Sequence, residues 1–157
     1  MHLTRFTDIG LRVLIYLTRG GERHPPVTVA EIATQFDIPV NHLVKVAGRL
    51  ARAGWVTATR GRNGGLRLAA DPHTLKIGAV LRELEGELEL VDCAGSNCRL
   101  SANCQLRGAL MVGLRAFYAA LDGYTLAQIT DGGTGEQIVH MHRAFLDRNN
   151  QGPTLPQ

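Results

Sequence analysis

The sequence predicts a mainly α-helical chain that carries one small two-stranded hairpin. Three observations point to it. Apolar residues recur at three- and four-residue spacing through most of the 157 residues, and glycines and prolines break that spacing at short intervals. A single β-branched and aromatic stretch, Trp55-Val-Thr-Ala-Thr59, runs into a glycine-rich turn.

Leu3, Phe6, Gly10, Val13, Leu14 and Leu17 share a helical face, so residues 4–19 read as an amphipathic helix stopped by Gly20-Gly21. Arg23-His24-Pro25-Pro26 cannot continue it, because proline lacks the amide a helix interior needs. Thr28 opens a second helix through Phe36, and Glu31, three residues on, completes the pattern of a capping box. Asp37-Ile38-Pro39 turns into a third helix. There Val40, Leu43, Val44, Ala47, Leu50 and Ala51 are expected to form the buried stripe, with Asn41, His42, Lys45, Arg49 and Arg52 facing outward. Gly54 ends that helix, and strand, tip and strand follow as Trp55 to Thr59, Arg60-Gly-Arg-Asn-Gly-Gly65 and Leu66-Arg-Leu68. Helix, turn, helix and two-stranded wing is the layout of a winged helix-turn-helix module, assigned to residues 1–72.

Past Asp71-Pro72, Ile77, Val80, Leu81 and Leu84 mark a fourth helix ending near Gly86, and the acidic segment from Glu87 to Asp92 leads into a loop that holds every cysteine of the chain. Asn103 is placed to cap a long helix with apolar residues at Leu106, Leu110, Leu114, Phe117 and Leu121, and Met111 and Tyr118 beside them. A stripe that wide either packs onto the winged module or pairs with its copy in a second subunit; pairing suits a protein that reads two half-sites on DNA. Residues 73–131 are thus assigned to a cluster-binding loop and a dimerisation helix. Residues 124–130 read as one more short helical stretch. Residues 132–157 read as a C-terminal tail, partly disordered, and loose after about Asn149 where Pro, Gln and Gly accumulate.

Charge is unevenly placed around a net value of +3. From Ile38 to Ala70 there is no Asp or Glu, while Lys45, Arg49, Arg52, Arg60, Arg62 and Arg67 all lie there. From Asp71 onward ten acids face seven bases. A basic block inside an otherwise acidic chain is the footprint of a nucleic-acid contact surface, and a solvated charged face is the plainer reading of the same residues. Asn41, His42, Lys45 and Arg49 offer an amide, an imidazole and two cations along successive helical turns, a set able to reach base edges and phosphates. Asn41 is equally suited to cap its helix, and Arg52 to cover apolar surface with its stem. Arg60, Arg62 and Asn63 at the wing tip complete the candidate contacts, on a turn that Gly64-Gly65 make tight. No apolar run reaches the eighteen residues of a membrane span, and no nucleophile, base and orienter set points to an enzyme. His24, His73, His140 and His142 have no evident partners.

Cys93, Cys98 and Cys104 follow the spacing Cys-x4-Cys-x5-Cys. An odd number leaves a thiol over in any disulfide scheme, and the chain opens without an apolar signal segment, so a reducing cytoplasm is the expected home. Four- and five-residue spacers let three sulfurs converge on one centre. They lack the Cys-x2-Cys knuckle of structural zinc, so an iron–sulfur cluster is preferred to zinc, with a three-thiol redox switch as a further reading. Cys104 at a helix N-terminus would gain from the positive dipole end, which favours a thiolate. Three thiolates leave a fourth position to Asp8, Asp92, His2, His42 or solvent, and an iron held there by oxygen or nitrogen is open to a small diatomic molecule. Asp8 has an ordinary role available too, since Arg12 lies four residues on. An oxygen donor beside three cysteines favours [4Fe-4S] over [2Fe-2S].

Leu3-Thr-Arg-Phe-Thr-Asp-Ile-Gly-Leu-Arg12, Asn41-His-Leu-Val-Lys45, Arg60-Gly-Arg-Asn-Gly-Gly-Leu-Arg-Leu68 and the three-cysteine loop followed by Cys104-Gln-Leu together resemble the IscR/NsrR family of bacterial winged-helix regulators. The likeness runs from Leu3 to about Thr130. It implies a homodimer crossed by its long helices, with a cluster where dimerisation helix and DNA-binding module meet. Cys93, Cys98 and Cys104 match the ligand positions, and Asp8 matches the place from which a partner subunit supplies an oxygen. IscR carries a histidine shortly after its third cysteine; Gln105-Leu-Arg107 has none, which favours the nitric-oxide-sensing branch. The resemblance therefore implies a repressor that binds operator DNA in its iron–sulfur form and releases it when the cluster is nitrosylated.

Overall fold

A computed structural model of the chain describes residues 2–21, 23–86, 90–93 and 95–150. Residues 87–89 of the acidic segment, and the tail from residue 151, lie outside the described residues. Helix α1 spans Arg5–Leu17, α2 Val29–Phe36 and α3 Val40–Arg52; strands β1 (Val56–Thr59) and β2 (Gly65–Leu68) follow, then α4 (Ile77–Glu85), α5 (Gln105–Leu121), α6 (Leu126–Ile129) and α7 (Gly133–Asn150).

The starts of α1 and α2 are set by side chains. Thr4 accepts the amide of Thr7, and Thr28 accepts the amide of Glu31. The second half of the expected capping box does not form, because the Glu31 carboxylate turns into the core instead of back to its own helix. Asp37 closes α2 in the left-handed region at φ 51°, so that the Ile38 amide reaches the Ala33 carbonyl at 3.0 Å and the chain turns sharply into α3.

Leu43, Val46, Ala47 and Leu50 of α3 are buried against Val13, Leu14 and Leu17 of α1 and Ile32 of α2, in a core that continues through Val80 and Leu81 of α4 to Leu126 and Ile138. Val40 and Val44, expected in that stripe, are exposed instead. The buried set is spaced three, four and seven residues from Leu43, and Val46 takes the inward place that the pattern had given to Val44.

β1 and β2 pair antiparallel, Val56 opposite Leu68 and Thr59 opposite Gly65, which leaves residues 60–64 as the tip. Gly64 is required there, since a Cβ would overlap the Thr59 carbonyl. The hairpin is tied back to the body by a bridge between Leu66 and Val27, and by Arg67, which donates to the carbonyls of Gly21 at 2.6 Å and Arg23 at 3.0 Å.

α4 and α5 are clamped together. Arg82 makes two bonds to the Asp122 carboxylate, at 2.9 and 2.6 Å, and lies over the Tyr118 ring, while Gly78 lets the α5 backbone approach closely. α5 begins one residue later than the Asn103 cap predicts: Cys104 holds the cap position, and no side-chain cap bond forms there. Leu114 and Tyr118 of α5 are buried, whereas Leu106 and Val112 are 64% and 63% exposed. The region read as a tail carries α7, whose Ile138 and His142 are buried.

Candidate functional site

The outward face of α3 is built on the opposite side from Leu43, Val46 and Leu50. Asn41, His42 and Lys45 are exposed there, with Val44 among them. Pro39, not Asn41, occupies the cap position of α3, so the Asn41 amide is not spent on its own helix. His42 and Lys45 line a hollow of roughly 250 Å³ together with Arg5, Phe6 and Ile9 of α1, which places them toward the α1 side of the face. Arg60, Arg62 and Asn63 are exposed at the hairpin tip.

Two bases of the acid-free block are committed within the chain. Arg49 pairs with the Glu83 carboxylate at 2.9 Å and donates to the Glu83 carbonyl at 3.2 Å, so it bridges α3 to α4. Arg67 anchors the wing as described. The free cations of the block are therefore Lys45 and Arg52 on α3 and Arg60 and Arg62 at the tip.

The cysteine loop joins the end of α4 to the start of α5. Cys93, Cys98 and Cys104 are free thiols, each partly buried. The Cys98 amide donates to the Cys93 carbonyl at 3.3 Å, and the Ser101 amide to the Cys98 carbonyl at 3.1 Å, so the loop folds back on itself. Among the described residues of the single chain, no three His, Cys, Asp or Glu side chains are gathered closely enough to hold a metal ion. The donor chemistry fits a thiolate-bound cluster: three uncommitted thiols lie in one loop, and Cys104 sits at the N-terminal end of a seventeen-residue helix, where the dipole favours negative charge.

Asp8 lies on α1, half exposed, and binds the Arg12 guanidinium through both oxygens at 3.0 and 3.1 Å. The i, i+4 pairing is the one its spacing anticipates. Glu85, at the end of α4, accepts from the Thr4 amide at 2.7 Å and the Thr4 hydroxyl at 3.2 Å, and its second oxygen is buried without a partner among the described residues. The entrance to the cysteine loop is thereby fastened to the first turn of α1. Asp92, another candidate ligand, accepts the Gly95 amide at 2.6 Å, and its carbonyl accepts the Ser96 hydroxyl.

A buried polar cluster that the sequence did not reveal joins α7 to the winged module. The Tyr16 hydroxyl donates to Glu31 at 2.7 Å, and Arg23 pairs with both Glu31 oxygens. His142, for which no partner was evident, stacks on the Tyr16 ring at 4.1 Å; its Nδ1 meets the Arg23 guanidinium at 2.7 Å and its Nε2 the Tyr16 carbonyl at 3.0 Å. Burial, then the Glu31 carboxylate, hold the Tyr16 hydroxyl far above its ordinary range. Burial lowers His142, and the Arg23 charge acts the same way. The only signal for this cluster was the helical spacing of Ile138, Met141, His142 and Phe145, with a histidine at its centre.

Among the described residues no helix is long and apolar enough to cross a membrane. The architecture recurs in solved structures. Oxidised CymR of Staphylococcus aureus matches at 23% identity over 84% of this chain and 98% of that one, with a TM-score of 0.65. IscR of T. potens matches at 24% identity over 82% and 85%, with a TM-score of 0.64. CymR (YrzC), the global cysteine regulator of B. subtilis, matches at 25% identity over 82% and 95%, with a TM-score of 0.58. The Rrf2 family, described as iron-dependent transcriptional regulators, matches residues 3–132. With that span covered, the chain belongs to the Rrf2 family of winged-helix transcriptional regulators, which bind DNA, are typically dimeric and are not enzymes.

Proposed function

We propose that this regulator is a cytoplasmic, nitric-oxide-responsive repressor that carries an iron–sulfur cluster and binds operator DNA as a homodimer. The observation that carries the reading is the placement of three free thiols in one loop whose two ends are the α4 and α5 termini. Cys93, Cys98 and Cys104 would hold the cluster, [4Fe-4S] in preference to [2Fe-2S], with the partner's Asp8 as fourth ligand. When bound, such a cluster supplies an iron with one non-sulfur ligand, open to a diatomic such as nitric oxide.

The chain's own residues provide the coupling. Glu85 ties the loop entrance to Thr4, and Arg49 ties the same α4 helix to α3 through Glu83. A change in the posture of the loop therefore acts on α1 and α3 together. Two winged modules that must fit successive major grooves lose many contacts on a small tilt. Asp8, which pairs with Arg12 in the single chain, would exchange that partner for the cluster on dimerisation.

Anaerobic purification tests the reading directly. The expected result is a brown protein with matched iron and sulfide that shifts an operator duplex and releases it on stoichiometric nitric oxide. A colourless protein with one zinc, unresponsive to nitric oxide, would replace the cluster with a structural metal. Release by a thiol oxidant, reversed by dithiothreitol, in an iron-free protein would make it a cysteine-redox regulator, a reading favoured by its likeness to a CymR solved in an oxidised form. Asp8→Ala is expected to weaken both cluster retention and the nitric oxide response; cluster content, response and operator affinity all unchanged would remove Asp8 from the ligand set.

A further inference from the structure

Val44 stands at 56% exposure on a helix face that also carries Asn41, His42 and Lys45. Nothing in the helix asks for it. A β-branched residue lowers helix propensity relative to alanine, and an exposed isopropyl group leaves apolar surface in water. Val40, one turn earlier, is 48% exposed and extends the same apolar strip toward the helix N-terminus.

The surroundings specify what would cover it. Asn41, Val44, Lys45 and Gly48 fall at positions i, i+3, i+4 and i+7, so they share one side of α3. No acid lies between Ile38 and Ala70, which fits a polyanion such as DNA and opposes a basic partner. At Gly48 the face drops to bare backbone: a Cβ there would meet only the far end of the Arg52 side chain, at 3.8 Å, so the helix can approach its partner closely. Of the groups that line a major groove, only the C5-methyl of thymine is apolar, and an isopropyl group has no means of reading the hydrogen-bonding edges. Asn41, one turn before, carries the amide suited to adenine.

We propose that Val44 reads the methyl group of a thymine in each operator half-site, and so sets a preference for A·T pairs beside the amide of Asn41. The inference rests on the DNA-binding assignment of α3 and names the base feature that this face recognises.

The test uses the full-length protein, purified anaerobically, and a duplex that the wild-type protein selects from a randomised pool. Each thymine of one half-site is replaced singly by deoxyuridine, which removes only the methyl, and Kd is measured at fixed salt. One position is expected to lose about three- to tenfold in affinity. Val44→Ala is expected to bind the thymine duplex more weakly by a similar factor and to bind thymine and uridine duplexes alike, while Val44→Ile keeps the discrimination. Because Val44 is exposed, the alanine variant should melt with the wild type, so lost affinity is not lost folding. The proposal fails if the wild type binds a selected duplex but no uridine substitution alters Kd, or if Val44→Ala still discriminates. A wild-type protein that selects no duplex would overturn the DNA-binding assignment of α3 itself, which is a different result.

Discussion

Glu31 shows how much one residue's role depends on its surroundings. It is 1% exposed, and a carboxylate so placed costs several kcal/mol unless its oxygens are matched. Tyr16 and Arg23 match them, one by a hydroxyl and the other by a guanidinium fork. Glu31→Ala leaves Arg23 charged and only 13% exposed, and is expected to destabilise the fold by about 3–5 kcal/mol in urea unfolding. A midpoint equal to wild type would show that the cluster is not structural. Lys45 and Arg49 contrast in the same way. Lys45 is exposed and belongs to the free cations of the face, so Lys45→Ala should weaken DNA binding across sequences and reduce the salt dependence by about one phosphate contact. Arg49 is already paired with Glu83, so Arg49→Ala should alter the salt slope less. Equal slopes for both variants would mean that Arg49 leaves Glu83 on binding DNA.

Between elements, the seam of α4 and α5 controls the ends of the cysteine loop. Gly78 faces the Tyr118 carbonyl and the Asp122 carboxylate, and an added methyl has no room against that backbone. Gly78→Ala is expected to cost about 1–3 kcal/mol and to raise the reactivity of the loop thiols toward a maleimide in apo-protein. Unchanged thiol kinetics would separate the seam from the loop. Much at this scale was legible in the sequence. α1 to α4 and the hairpin follow from strong periodicity bounded by Gly20-Gly21, Pro39, Gly54 and the glycines of the tip, and the acid-free stretch and clustered thiols mark both candidate sites. Three features were not legible, each for a physical reason. Valines at 40, 44 and 46 allow two registers for the buried stripe of α3, and only packing against α1 chooses between them. Arg49 and Glu83 are 34 residues apart, beyond any local pairing rule. α7 buries a histidine at its contact face and starts Gly-Thr-Gly, so it resembles polar tail.

Across the whole molecule, α7 is linked through Arg23 to the wing. His142 meets Arg23, whose carbonyl receives Arg67 of β2, and the Gln35 amide donates to the Met141 carbonyl at 3.1 Å. The partners of the imidazole define its state. Nδ1 accepts from the Arg23 guanidinium and Nε2 donates to the Tyr16 carbonyl, so the neutral ring fits and a second proton would face a cation. The charged and titratable groups around it are Tyr16 from α1, Arg23 from the following loop and Glu31 from α2, the last at 3.9 Å. Burial is the largest influence and lowers the folded-state value beneath the ordinary 6.5. The unfolded chain therefore takes up this proton first as pH falls. The contribution of His142 to stability is complete above about pH 6.5 and is lost progressively as pH drops toward its folded-state value. Wild-type protein is expected to lose Tm between about pH 7 and pH 5.5, with α7 amides exchanging faster than those of α1. His142→Phe keeps the ring stacked on Tyr16 and removes the titration, so its Tm should fall less over the same interval, although it begins lower for want of the two hydrogen bonds. Parallel acid slopes for the two proteins would show that the docking of α7 does not depend on a neutral imidazole.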